Sequence, residues 1–271
     1  MLSKYLYIPP TLGAMAFLLY AVTHDGDYAM YAVPCVVAVA VVFMLSPQID
    51  WWWYKRHPLD LPHMLQLFIN KNSLFYQNLG VEDKFRFRNR MAMYMQAVEF
   101  MPQGMEQVSP DVKGVVAACA VQMTFGQKDY LPGKFEHIVV YKHPFPSPQY
   151  PEHWHASEHF EEDGVIMFST EQLMPGFLQP QRFFNIGLYE YARVFRTNNP
   201  DVAFPQVGEE HWPALEYISR FPKDKNIQYI GLPHIDLVAL AVSHFFVFPE
   251  NFKATMPDIY EGLARALNLR P

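Results

Sequence analysis

The chain has 271 residues, of which 51% are hydrophobic and 16% aromatic, which excludes a disordered or fibrous protein. Its mean hydropathy of -0.06 excludes a protein built throughout from membrane-spanning helices. The formal charge of -6, with no Lys/Arg stripe interleaved with aromatics, excludes the electrostatic footprint of a nucleic-acid binder.

Tyr5 to Val22 is uncharged and of the length needed to cross a bilayer, with Pro9 and Pro10 near its start, where a helix tolerates them. Tyr28 to Leu45 is a second such run, with Pro34 inside it. The short turn Thr23 to Asp27 forces the two into an antiparallel transmembrane hairpin, assigned to residues 1–50. Lys4 followed by an apolar run also fits a cleaved leader, but no small-x-small site ends the run and a second apolar run follows at once. Lys4 before the first helix, Asp25 and Asp27 in the turn, and Lys55 and Arg56 after the second place both termini on the cytoplasmic side of an inner (cytoplasmic) membrane. Trp51, Trp52, Trp53 and Tyr54 suit the headgroup layer, and residues 51–60 read as an interfacial linker.

Residues 61–271 read as one soluble domain. Leu61 to Met101 carries helical periodicity, broken at Gly80. Ser109-Pro110-Asp111 is a helix start leading into the Ala-rich run Val115 to Met123. His137 to Tyr141 and Val165 to Ser169 are short β-branched strands separated by a Pro-, Tyr- and His-rich loop. Helices follow over Gln181 to Phe195, from about Trp212, over Ile235 to Phe248 and over Met256 to Leu267. Cys35 and Cys119 make no disulfide framework; both read as buried thiols in a reducing compartment.

Four segments taken in order, Val108 to Phe145, Gly164 to Ser169, Asn185 to Arg193, and Asp236 to Glu250 with Pro257 to Tyr260, resemble the glucose-regulated metallopeptidase family, also called the Mlc titration factor A family. The resemblance spans most of the chain after about residue 60 and leaves the hairpin outside. It implies an α+β, mainly helical, zincin-like (gluzincin-type) domain with a small sheet. In that family an N-x-x-x-H-E-F-A-H helix supplies two zinc-binding histidines and a glutamate base, and a later E-F-F-A-x-x-x-E helix supplies a glutamate ligand. Two histidines four apart share one helical face and grip one zinc, and the intervening glutamate activates water.

Here those positions hold Tyr189, Glu190 and Arg193, the ligand glutamate is matched by Asp236, and the second glutamate of its helix by Ser243. A phenol binds zinc poorly unless ionised and a guanidinium stays protonated, so the metal positions are degenerate and Glu190 reads as a retained structural carboxylate. The expected fate of the site is a bridge from Arg193 to Asp236, with Glu190 as a second partner and the Tyr189 hydroxyl donating to the same carboxylate. Ser169 matches a strand that lines the family's peptide cleft, so a bound segment could pair with its edge. His153, His155 and His159, with Glu152 and Glu158, and separately His234, Asp236 and His244, are alternative metal spacings. There is no phosphate-binding Gly-rich loop and no Gly-x-Ser-x-Gly elbow. The resulting expectation is a pseudo-peptidase without a cofactor that serves a membrane complex as scaffold or accessory subunit by binding another protein. Its alternative is an active zinc-dependent peptidase with a rearranged ligand set.

Overall fold

The computed structural model describes residues 2–57 and 60–269. Residue 1, residues 58 and 59 of the expected linker, and residues 270 and 271 lie outside them. The chain divides into two compact units, Met1–Leu59 and Asp60–Pro271.

The first unit holds α1 (Ser3–Leu6), α2 (Ile8–Thr23) and α3 (Ala32–Arg56), with a short 3-10 turn at Gly26–Tyr31. The helical stretches Ser3–Thr23 and Gly26–Arg56 have mean hydropathies of 1.5 and 2.3 and are long and apolar enough to cross a membrane. Contacts between Phe17 and Tyr31, and hydrogen bonds from the Ser3 amide and hydroxyl to Asp50 at 2.9 and 2.7 Å, pair the hairpin in antiparallel fashion. Pro34 falls in the first turn of α3, where its missing N–H costs no bond; Pro47 is the proline inside the helix. Nor does the helix stop where the linker was expected. It runs through Trp51–Tyr54 to Arg56, with Lys55 over Trp51 and Arg56 over Trp52, 5.4 and 3.9 Å from the ring centroids. It ends at His57 because the following Pro58 disfavours a helical residue before it. Cys35 is half-buried here, whereas Cys119 is fully buried as expected.

The second unit is mostly helical with one small mixed sheet. In chain order it contains α4 (His63–Asn72), α5 (Leu74–Gln77), α6 (Val81–Ala97), β1 (Glu99–Gln103), α7 (Pro110–Met123), β2 (His137–Tyr141), β3 (Ser157–Phe160), β4 (Val165–Ser169), α8 (Thr170–Leu178) and α9 (Ile186–Asn198). After these come α10 (Trp212–Ser219), α11 (Lys223–Ile230), α12 (Leu237–Val247), α13 (Pro249–Thr255) and α14 (Pro257–Ala266). The sheet order is β1-β2-β4-β3, with β1, β2 and β4 parallel and β3 antiparallel. Two strands were not anticipated. The periodicity read as helix up to Met101 breaks at Val98, because Met101 precedes Pro102 and must be extended, so β1 begins at Glu99. The Pro-, Tyr- and His-rich loop contains β3, whose Ser-Glu-His-Phe sequence lacks the β-branched signature.

Alternation sets the sheet's two faces: Ile138, Val140, Ile166 and Phe168 enter the main core, while Val139 and Met167 join Phe145 on the other side. The β3–β4 turn closes at Gly164, whose φ of +61° and contact with the Lys134 carbonyl oxygen leave no room for a side chain. At the centre lies α7, started by Ser109, whose hydroxyl accepts the Val112 N–H, and buried almost all round. Arg86 and Arg90 of α6 donate to the Phe125 carbonyl and Arg90 also to those of Thr124 and Gln127, satisfying the turn that follows α7 and setting cations at the helix's negative end. Against α7 packs α9, which also touches β3 and α12. That close approach needs Gly187, since a Cβ there would come within 2.7 Å of the Cys119 sulfur.

Candidate functional site

Asn185 starts α9 by accepting the Leu188 N–H on its side chain at 3.0 Å, and its carbonyl accepts the Ser243 hydroxyl of α12 at 3.3 Å. This fixes the register in which Tyr189, Glu190 and Arg193 face β3 and the start of α12.

Glu190 is wholly buried and fully bonded. Its Oε2 accepts the Ser157 hydroxyl at 2.6 Å and Arg193 Nη1 at 3.0 Å; its Oε1 meets His159 Nδ1 at 2.6 Å and Arg193 Nη1 at 3.2 Å. Burial alone would raise the carboxyl, but the Arg193 charge and the bonds from His159 and Ser157 outweigh it and hold it down at about 2. Glu190 is therefore an anion, and a carboxylate held this low is a poor proton acceptor. Arg193 is mostly buried too; burial opposes its charge, and Glu190 outweighs burial and keeps it a cation.

Ser157 and His159 reach Glu190 together because alternate residues of a strand point the same way. Glu158 between them points to the opposite side, where its Oε2 lies 3.0 Å from His155 Nε2 in a completely buried pair. The other nitrogen of His155, Nδ1, faces the His153 carbonyl at 2.8 Å and donates to it. His159 Nε2 faces Thr197 Oγ1 at 3.3 Å.

The expected bridge from Arg193 to Asp236 is absent. Arg193 turns to Glu190 three residues back on its own helix face, and Asp236 pairs with Arg196, one turn further along. The reason lies in what each carboxylate already does. Asp236 is the N-cap of α12, its Oδ1 accepting the Val238 and Ala239 N–H groups at 3.0 Å each, whereas Glu190 sits deep in the core and needs the nearest cation. Tyr189 does not donate to the Asp236 carboxylate either; its oxygen accepts the Asp236 backbone N–H at 3.1 Å. Burial pushes the Tyr189 phenol up, so it remains protonated and is a poor metal ligand.

The residues at the zinc positions do not fit a zinc ion: a neutral phenol, a guanidinium bonded to the matching general-base carboxylate, and an aspartate engaged as a helix cap. Among the described residues no three His, Cys, Asp or Glu side chains form a group that could hold a metal. The alternative spacings are dispersed. His153 and His234 are exposed, His155 is buried with Glu158, and His159 belongs to the Glu190 network on a strand instead of a loop. His244 is fully buried with neither ring nitrogen bonded among the described residues; burial pulls it down to about 3, and it stands edge-on to Phe184 and Phe248 as a neutral core residue.

Ser169 is buried at the end of β4, its hydroxyl donating to Gln172 Oε1 at 2.5 Å. β4 lies between β2 and β3, so its edge is taken; the outermost strands are β1 and β3. Sequence reasoning missed Ser157, Thr197 and Arg196. The last could have been found, since position 196 follows Tyr189 by seven residues on the same helical face.

The family model described as glucose-regulated metallo-peptidase M90 matches residues 49–202, more than half of the chain. The match includes Tyr189, Glu190 and Arg193 and stops before Asp236. No curated protein matches the chain.

Proposed function

Since the chain belongs to the glucose-regulated metallopeptidase family, we propose that it is a membrane-anchored, zincin-like member that has exchanged its zinc for an internal ion pair and acts by binding, as a scaffold or accessory subunit of a membrane complex. The observation that carries this reading is the bond from Arg193 to the fully buried Glu190: the residue at the second histidine position neutralises the carboxylate that would otherwise activate water. With zinc absent, no water of lowered pKa is available, and Glu190 is held as an anion by three donors. The experiment is a peptidase assay on the full chain with and without chelator. The reading expects no chelator-sensitive cleavage and no difference between the native chain and Glu190→Gln. Cleavage abolished by both would return the protein to the active enzymes.

The anchor belongs to the same proposal. α2 and α3 cross the inner membrane as a hairpin, with both termini cytoplasmic and the Thr23–Asp27 turn outside, supported by the basic flanks at Lys4, Lys55 and Arg56 and by the acidic turn. A cysteine at Asp25 should react with an impermeant thiol reagent in intact cells. Protection there, with labelling near the C-terminus, would reverse the orientation.

A further inference from the structure

Tyr189, Glu190 and Arg193 share one face of α9. Another face of the same helix, carrying Tyr191, Val194, Phe195 and Asn198, walls a cavity with Tyr94 of α6, the end of α7 and the segment 129–133. Its volume of about 290 Å³ far exceeds the roughly 30 Å³ that a water occupies in the liquid, and stands near the lower end of pockets for small organic ligands, roughly 300 Å³. All its lining residues lie in the second unit, and none belongs to the Glu190 network. Burial marks its two ends: Tyr94 and Tyr191 are 0% and 4% exposed, whereas Asp129 and Gly133 stand at the surface.

The inner end offers a donor. The hydroxyl oxygens of Tyr94 and Tyr191 lie 2.5 Å apart, and burial pushes both phenols up, so both keep their protons. Two hydroxyl hydrogens then share a single bond: one phenol donates to the other, whose own hydrogen has no acceptor among the described residues. A buried donor left in this way is costly, and the cavity beside it is where an acceptor can be supplied. The rim offers the opposite. The Thr124 hydroxyl is taken up by the Ala120 and Tyr130 carbonyls, and the amide nitrogens of Asn198 and Asn199 by those of Pro132 and Phe195. What remain are the side-chain oxygens of Asn198 and Asn199, which accept no hydrogen bond among the described residues, and Asp129, the one charged side chain in the lining. Arg90 lies over the Tyr130 ring, 4.5 Å from its centroid, but is bonded to the Gln127 carbonyl and lines no part of the cavity. Between the two ends the walls are apolar, from Ala120, Met123, Leu131, Val194 and Phe195.

We propose that this cavity is a binding site for a small organic amine. The ammonium sits at Asp129 and the Asn198 and Asn199 oxygens, an apolar or aromatic frame lies along Met123, Val194 and Phe195, and an oxygen at the far end accepts the free hydroxyl hydrogen of the Tyr94–Tyr191 pair.

The probe is tyramine, titrated calorimetrically into the full chain in a nonionic detergent. Phenethylamine has the same amine and ring without the oxygen, and para-hydroxyphenylacetate keeps the oxygen but reverses the charge. Tyramine should saturate a single site and bind about tenfold or more tightly than either, the worth of one buried polar group correctly paired. Asp129→Asn should weaken tyramine by about threefold or more, and because Asp129 is exposed its variant tests the site without touching the core. Tyr94→Phe combined with Tyr191→Phe should abolish the preference for tyramine over phenethylamine, with the urea midpoint measured alongside to show that the double variant is folded. Absence of saturable tyramine binding, equal binding of the three probes, or a tyramine affinity unmoved by Asp129→Asn would overturn the proposal. A preference for tyramine that survives in the folded double variant would overturn the assignment of the oxygen to the phenol pair.

Discussion

Two ion pairs one turn apart on α9 have the same chemistry and different surroundings. Arg193 meets a Glu190 that is completely buried; Arg196 meets an Asp236 that keeps 28% of its side chain exposed, and Arg196 itself keeps 36%. Water can solvate Asp236 and Arg196 if their bond breaks, and the helix N–H groups would still bond Asp236. Glu190 has no such recourse. The inner pair is therefore a structural requirement of the core, while the outer pair is a modest surface contact.

The largest effect follows from breaking the inner pair. Arg193→Ala leaves a buried carboxylate short of its cation and should cost roughly 3–5 kcal/mol in urea denaturation. Replacing both partners, as Glu190→Gln with Arg193→Leu, should cost less than Arg193→Ala alone, since it removes the stranded charge. Equal losses in the two variants would mean that packing, not charge, dominates.

Acid provides a second way to strain the same pair. Glu190 is held at about 2 in the fold against 4.5 as its ordinary value, so the folded state binds its proton less readily than the unfolded chain. Its contribution, on the order of 3 kcal/mol, is present above the unfolded value and is lost as pH falls from about 4.5 toward 2. Denaturant midpoints across that window should fall in the native chain and fall less in Glu190→Gln.

Smaller changes follow. Ser157→Ala removes one bond to a charged acceptor that keeps two other partners, a loss of about 1.5–3 kcal/mol. Arg196→Ala should cost only about 0.2–1 kcal/mol and should lose its effect in high salt. A larger loss at Arg196 than at Arg193 would invert the comparison.

How far this arrangement can be read without coordinates depends on whether its causes are local. α7 was legible because Ser109, Pro110 and an Ala-rich run state its start and its burial, and β2 and β4 because their residues are β-branched. The shared face of Tyr189, Glu190 and Arg193 follows from helical spacing alone, although the helix read from Gln181 starts only at Ile186, after its Asn185 cap. The partner of Arg193 does not. It is decided by β3, a strand that brings Ser157 and His159 to Glu190, whose polar four-residue sequence reads as loop until β4 is there to pair with it. Asp236 reads as a degenerate metal position and a partner for Arg193 because the family's motif puts a ligand there, whereas its capping role depends only on where α12 begins. β1 was hidden by the helical periodicity running up to it, although Pro102 marked the change.

The claim that a guanidinium stands in place of the family's zinc is tested most directly by the metal content of the purified full-length chain after equilibration with zinc and removal of the excess. The account predicts no stoichiometric zinc, in the native chain and in Glu190→Gln alike. One zinc per chain, lost when Glu190 or Asp236 is replaced, would contradict it.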